Sequence, residues 1–188
     1  MDAPLLFPQL PLAARPPFYF ALRPDVETAA RIRTLARNFQ KRDEIGGRVY
    51  PADRLHLSLC PIGLHGLKRG EVRAAIEVAA EIAAERFTVR FDKTASVRGR
   101  GGHCLILRSD LVCTGLDRLA TALRRRLTAA GLTVPGGEGA PHLTIIRQTA
   151  QTPESVLETP VEWEAGDFVL ARLGGSASND LASWRLGA

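Results

Sequence analysis

Long apolar runs are missing from this chain of 188 residues. No stretch approaches the roughly 20 consecutive apolar residues that a membrane-crossing helix needs. The start, Met1-Asp2-Ala3-Pro4, lacks the basic and then apolar order of a secretion signal, so the cytoplasm is the expected location and no membrane is an expected partner. Cysteine is scarce. Cys60, Cys104 and Cys113 are an odd set without Cys-x-x-Cys spacing, which supports neither a disulfide framework nor a zinc site; they read as reduced structural thiols. Lysine is nearly absent: of 25 Lys and Arg residues, three are Lys and 22 are Arg. A net charge of +5 suits a phosphate-rich partner. An arginine excess beside abundant Ala and Gly is also what nucleotide bias in a coding genome produces, so charge alone does not identify nucleic acid.

What is present is ordinary for a globular protein, with 45% hydrophobic and 24% charged residues. The length fits one domain, or two small lobes sharing a cleft. Residues 1–17 carry five prolines and read as a loosely ordered arm ahead of a single domain over 18–188. Phe18 to Arg23 predicts a strand. Asp25 is placed as an N-cap, and Ala29, Ile32, Leu35, Ala36 and Phe39 follow on one face of a helix to about Gln40. Ile45 to Pro51 reads as a loop or short extended piece, and Gly63 to Gly70 as a turn. Val72, Ile76, Ala79, Ile82 and Ala83 mark a second helix with Glu71, Glu77, Glu81 and Glu85 on its wet side. Phe87–Phe91 and His103–Arg108 predict paired strands joined through Arg98-Gly99-Arg100-Gly101-Gly102. Leu116, Leu119, Ala120, Leu123, Leu127 and Ala130 form a third helical stripe ending at Gly131. Its Arg118 and Arg124-Arg125-Arg126 read as a solvated face with cations near the C-terminus. Gly136 to Gly139 reads as a mobile approach, and strands are expected at Val161–Glu164, Asp167–Leu173 and, briefly, Ser183–Leu186. Strands that do not simply alternate with helices argue against a doubly wound parallel sheet and for an α+β fold.

Two stretches carry chemistry. Leu55-His56-Leu57-Ser58-Leu59 and Pro141-His142-Leu143-Thr144-Ile145 both alternate with a period of two, so each puts a His and a hydroxyl on one strand face and aliphatic residues on the other. A single His-x-Ser triplet is more often a polar stripe than a site. Two matched copies, 142 − 56 = 86 residues apart and each one strand beyond a helix, suggest two related lobes. Two facing imidazoles can act as acid and base on a phosphodiester near neutral pH. Ser58 and Thr144 can donate hydrogen bonds to non-bridging phosphate oxygens as charge builds up in the transition state. This set requires no metal, and no cofactor is expected. Arg147 adds a fixed cation, but five residues past His142 it belongs to the opposite face unless the strand ends or bulges first. A serine nucleophile lacks a Gly-x-Ser-x-Gly elbow and an acid placed to orient its His. His56 and Cys60 lack further ligands at metal spacing. His65 and His103 fit neither motif and read as loop or surface residues.

With these motifs, and with Arg147 completing His-x-Thr-x-x-Arg, the sequence resembles the 2H phosphoesterase superfamily, in particular its bacterial 2'-5' RNA ligase-like group. The resemblance runs from Phe18-Tyr19-Phe20-Ala21-Leu22-Arg23-Pro24 to Phe168-Val169-Leu170-Ala171-Arg172. The first motif departs from the family, which has an aromatic residue and then Leu-Gly where this chain reads Cys60-Pro61-Ile62-Gly63. The resemblance implies two pseudo-symmetric lobes of antiparallel sheet with outer helices facing each other across a cleft. It also implies metal-independent opening of RNA 2',3'-cyclic phosphate ends to 2'-phosphates, with weak joining or cleavage of 2'-5' linkages. His56 and His142 would be catalytic, His56 as acid for the leaving 3' oxygen and His142 as base for water; Ser58, Thr144 and Arg147 would hold phosphate. The alternatives are a phosphodiesterase for a small cyclic or 2'-5' linked nucleotide, and a non-catalytic module that binds RNA ends. A monomer is the simplest expectation for the assembly.

Overall fold

The computed structural model describes residues 18–63, 66–99, 102–135, 140–172 and 180–187, with Gln148 described in its backbone only. The expected N-terminal arm, His65, the stretch Gly136 to Gly139, the turn residues Arg100 and Gly101, and Leu173 lie outside the described residues.

Asp25 caps the first helix as expected, its carboxylate accepting from the Thr28 N–H at 2.8 Å, which holds that carboxyl below its ordinary range. The elements run β1 (Phe18–Leu22), α1 (Val26–Arg42), β2 (Arg48–Val49), a 3₁₀ turn (Ala52–Arg54), β3 (Leu57–Ile62) and α2 (Arg69–Ala80). They continue as β4 (Phe87–Gly99), β5 (Gly102–Arg108), α3 (Thr114–Ala129), β6 (His142–Thr149), β7 (Ser155–Ala165), β8 (Asp167–Arg172) and β9 (Asp180–Arg185). At the end of α3, Gly131 takes φ +79°, its N–H donating to Thr128 O while that of Leu132 donates to Leu127 O. This is the paired Schellman closure that glycine permits.

The strands form one antiparallel sheet in the order β7-β4-β5-β6-β3-β1-β8-β9, with β2 added on β6. It divides naturally into halves, β6-β5-β4-β7 and β3-β1-β8-β9, which meet at the two motif strands. Between β3 and β6 the register is Leu57 opposite Leu143. Antiparallel strands that overlap only at their first residues then run away from each other. Beyond the overlap, β2 takes the edge of β6 (Arg48 opposite Arg147, Val49 opposite Ile146), and the Gly63 N–H at the end of β3 donates to Thr133 O. Each motif strand is therefore braced by the segment that leads into the other. The helices repeat the exchange: α1 follows β1 but reaches β6, and α3 follows β5 but reaches β3. One continuous apolar core, with Phe20, Leu22, Ile32, Leu57, Leu119, Leu123, Leu143 and Ile146 in it, lies on the helix side of both halves. Among the described residues no helix is long and apolar enough to cross a membrane.

Several boundaries differ from those read in the sequence. β4 runs to Gly99 and not Phe91, because Thr94, Ala95, Ser96 and Val97 are all buried and a strand covered on both faces shows no alternation. α2 stops at Ala80; its last turn tightens, and the Ala84 carbonyl instead accepts the Gly187 N–H. The first motif strand begins at Leu57, so His56 stands just ahead of it.

Leu143, which is fully buried, packs on the core side of the junction directly beneath the motif residues. Leu143→Ala should cost roughly 2–5 kcal/mol in urea unfolding, the range for emptying a well-packed leucine site. A loss below about 1 kcal/mol would show that the junction does not depend on this contact.

Candidate active site

Alternation at the junction decides where the motif side chains go. Leu57 and Leu143 face each other in the core, so His56 and Ser58 on one strand, and His142 and Thr144 on the other, share the helix-free face. All four are half-buried, while Leu55, Leu57, Leu59, Leu143 and Ile145 are buried. Continuing the Leu57–Leu143 register by one residue each way sets His56 opposite Thr144 and Ser58 opposite His142. Each hydroxyl thus stands two residues along from its own imidazole and across the strands from the other one. The two histidines are diagonal neighbours, for which regular strands give a spacing of about 7–8 Å.

Both imidazoles are held in the same way. His56 Nδ1 lies 2.8 Å from Arg54 O and His142 Nδ1 lies 3.0 Å from Ala140 O, in each case the carbonyl two residues back. A carbonyl only accepts, so Nδ1 carries a proton in both rings, and Nε2 is the atom whose protonation can change. Burial lowers both pKa values from the ordinary 6.5. His56 is depressed further by Arg23, by His142 and by Arg54.

Each histidine also has an arginine on its outer side. Arg23, just past β1, forks onto Asp180 at 2.8 and 2.5 Å and reaches the carbonyls of Asp53 and Leu55 at 3.4 Å, fastening the turn that presents His56. Arg108 is directly opposite His142 and is paired with Asp110 and Glu154, which Lys93 also binds.

Arg147 is turned to the motif face because β6 bulges. The register passes from Leu105–Ile146 to Ile106–Thr144, leaving Ile145 as the extra residue; Ile145 and Ile146 are both fully buried, and the next residue returns to the face of His142. The Arg147 guanidinium lies 5.5 Å from the centre of the Tyr50 ring, which is tilted at 62° to the His56 ring with centroids 6.4 Å apart. β3 has the matching irregularity, with Leu59 and Cys60 both buried and Pro61 next. Burial pushes the Cys60 thiol up to about 12, in keeping with a structural cysteine. Pro61 pairs with Tyr19, whose ring lies 4.9 Å from that of His56, so an aromatic surface stands one strand away from the position where the first motif lacks one. Tyr19, Arg23, Tyr50 and Arg108 were not singled out from the sequence. The alternation of Tyr19, Ala21 and Arg23 against Phe18, Phe20 and Leu22 is a usable signal for the first two. Tyr50 and Arg108 depend on long-range register that a single sequence does not display. Elsewhere, Arg124 of the arginine run reaches Leu59 O at 3.5 Å and Arg126 pairs with Glu81, which are structural contacts.

Because both histidines are held below their ordinary pKa, the folded chain binds protons less readily there than the unfolded chain. Their contribution to stability is therefore complete above about pH 6.5 and is lost as pH falls through the lower, folded values. Replacing both by Asn, which does not titrate and keeps an N–H for the carbonyl, should flatten the dependence of the urea midpoint on pH between about 7 and 5. An unchanged slope would mean that these imidazoles are not held neutral.

The fold agrees with comparisons to other proteins. Residues 24–176 match the model of the 2'-5' RNA ligase superfamily. The structure is similar to that of E. coli LigT complexed with 3'-AMP, at 22% identity over 93% of this chain and 99% of that one, with a TM-score of 0.73. It is similar to TT0787 of Thermus thermophilus, at 19% identity over 89% and 96% of the two chains and a TM-score of 0.68. The PDE domain of MHV ns2 is more distant, at 14% identity over 88% and 98% and a TM-score of 0.53. No curated protein is similar in sequence at a significant level. At such identities the structural likeness speaks for the fold alone, but the family match spans most of the chain and includes both His-x-Ser/Thr motifs: this chain belongs to the 2'-5' RNA ligase superfamily, the 2H phosphoesterases.

Proposed function

We propose that this protein is a phosphoesterase that hydrolyses the 2',3'-cyclic phosphate end of RNA to a 2'-phosphate without a metal. The observation that carries the reading is the matched pair of imidazoles, each with Nδ1 tied to a carbonyl and each across from the other motif's hydroxyl. A phosphate between the two Nε2 atoms meets one group able to take a proton and one able to give it. In the reaction His142 removes a proton from water as its oxygen bonds to phosphorus, the bond to the 3' oxygen breaks, and His56 protonates that oxygen. Ser58, Thr144 and Arg147 stabilise the charge that collects on the non-bridging oxygens. Tyr19 and Tyr50 flank His56 with rings on which a base can stack. E. coli LigT has been crystallised with 3'-AMP and with ATP, which supports a nucleotide as ligand here.

This division of labour is taken from the resemblance, and it has a physical requirement. Burial and the cations Arg23 and Arg54 disfavour a second proton on His56 in the free protein. The anionic substrate must restore it. The limb of the pH profile that reports the acid should therefore lie at higher pH for kcat than for kcat/KM, since the first describes the complex and the second the free enzyme. Coincident limbs would remove the substrate from this role.

His56→Ala and His142→Ala should each lower kcat by roughly a hundredfold or more on a 2',3'-cyclic phosphate end, with binding far less affected. Ser58→Ala and Thr144→Ala should cost on the order of 1.5–3 kcal/mol each in transition-state stabilisation. Turnover should survive exhaustive chelation, because acid, base and hydroxyl donors already cover the steps a metal would assist. Wild-type rates in both histidine variants would leave a binding module, and activity restored only by zinc or manganese would overturn the mechanism.

A further inference from the structure

The charged side chains around the histidines are not equivalent. Arg23 is neutralised by Asp180, and Arg108 and Lys93 share Asp110 and Glu154. On the side of Tyr50 the pattern is different. Arg48 stands directly opposite Arg147 in the β2–β6 pairing, and both are exposed. Like charges directly opposite on neighbouring strands destabilise the pair unless an anion lies between them. Arg54 adds a third guanidinium, 5.9 Å from the Tyr50 ring that Arg147 also covers. Among the described residues none of these three arginines has an ion-pair partner within 4.0 Å; the neighbouring acid Asp53 is an exposed side chain whose backbone carbonyl accepts from Arg23. Arg48 and Tyr50 alternate on the same face, so the cluster borders the motif face and is continuous with the site.

We infer that Arg48 and Arg54, beside the Arg147 that serves the reacting phosphate, form a second anion site, for the phosphodiester chain that leads up to the reacting terminus. The preferred substrate is then the end of an RNA oligonucleotide, and a free cyclic mononucleotide occupies only half of what is built. The chain leaves the histidines over Tyr50, because on the opposite side the cations are already matched by carboxylates. This rests on the phosphoesterase reading above and adds to it the length of the substrate and the direction in which it lies.

The test compares a 2',3'-cyclic mononucleotide with an RNA trinucleotide that has the same cyclic end. The ratio of their kcat/KM values should favour the trinucleotide by about tenfold or more at low salt. The logarithm of that ratio should fall linearly with log[salt], with a slope of roughly 0.7 for each phosphate neutralised on a single strand. Arg48→Gln and the Arg48→Gln/Arg54→Gln pair should bring the ratio towards one, with an unchanged urea unfolding midpoint serving as the check that each variant is folded. A wild-type ratio near one, or a ratio that the variants leave unchanged, overturns the inference. If no cyclic phosphate is turned over at all, the phosphoesterase reading fails separately. Anisotropy of a labelled trinucleotide 3'-phosphate then decides: binding at least about tenfold weaker in the double variant supports the chain site, and equal binding removes it.

Discussion

The structure depends on a very short strand contact. β3 and β6 meet at Leu57 and Leu143 and then separate, each continuing beside the segment that leads to the other. A longer pairing would have made an ordinary sheet interior, with both faces of the joint filled. The brief overlap places four polar side chains on one face and seals the other face with leucines that belong to the common core. Because the halves also exchange helices across the joint, separating them would break the core and not merely a two-residue contact. Rigid placement of the histidines thus follows from the topology of the whole chain and not from local hydrogen bonds alone.

Those local bonds then select the chemistry. A carbonyl two residues back of each imidazole leaves Nε2 as the titrating atom, and burial disfavours a second proton on either ring. On the proposed reading, an anion bound between the rings reverses that preference. A site of that kind is better matched to its complex than to free solution, as stabilising a charged transition state away from water requires.

Much of this was legible from the sequence, for a definable reason. Ser58, His142 and Thr144 sit on strands with one buried face, and His56 stands just ahead of one, where period-two alternation reports side-chain direction directly. The α+β order, the Asp25 cap and the Gly131 stop also follow local rules. Legibility ended wherever alternation was broken or covered on both sides. The stretch Thr94 to Val97 reads as no strand because it is buried on both faces, and the orientation of Arg147 turns on a bulge that adjacent Ile145 and Ile146 permit but do not announce. Register across distant strands, which brings Tyr19 to Pro61 and Arg108 to His142, is invisible to periodicity.

The same bulges explain how a nearly symmetric pair of motifs can hold an unsymmetrical molecule. Both motif strands slip by one residue three and four positions after the histidine, so Pro61 on one and Arg147 on the other occupy equivalent places. Proline offers no charge and no donor, and the neighbouring strand fills its side with the ring of Tyr19. Arginine offers a fixed cation, placed over Tyr50 and opposite another arginine. One wall therefore carries the ring of Tyr19 and the other a pair of opposed arginines beside Tyr50. A ligand with a flat apolar end and a charged end can enter in one orientation and not in the reverse. On the proposed reading the ligand is a nucleotide, and the direction in which it lies determines which of two similar histidines meets the leaving oxygen.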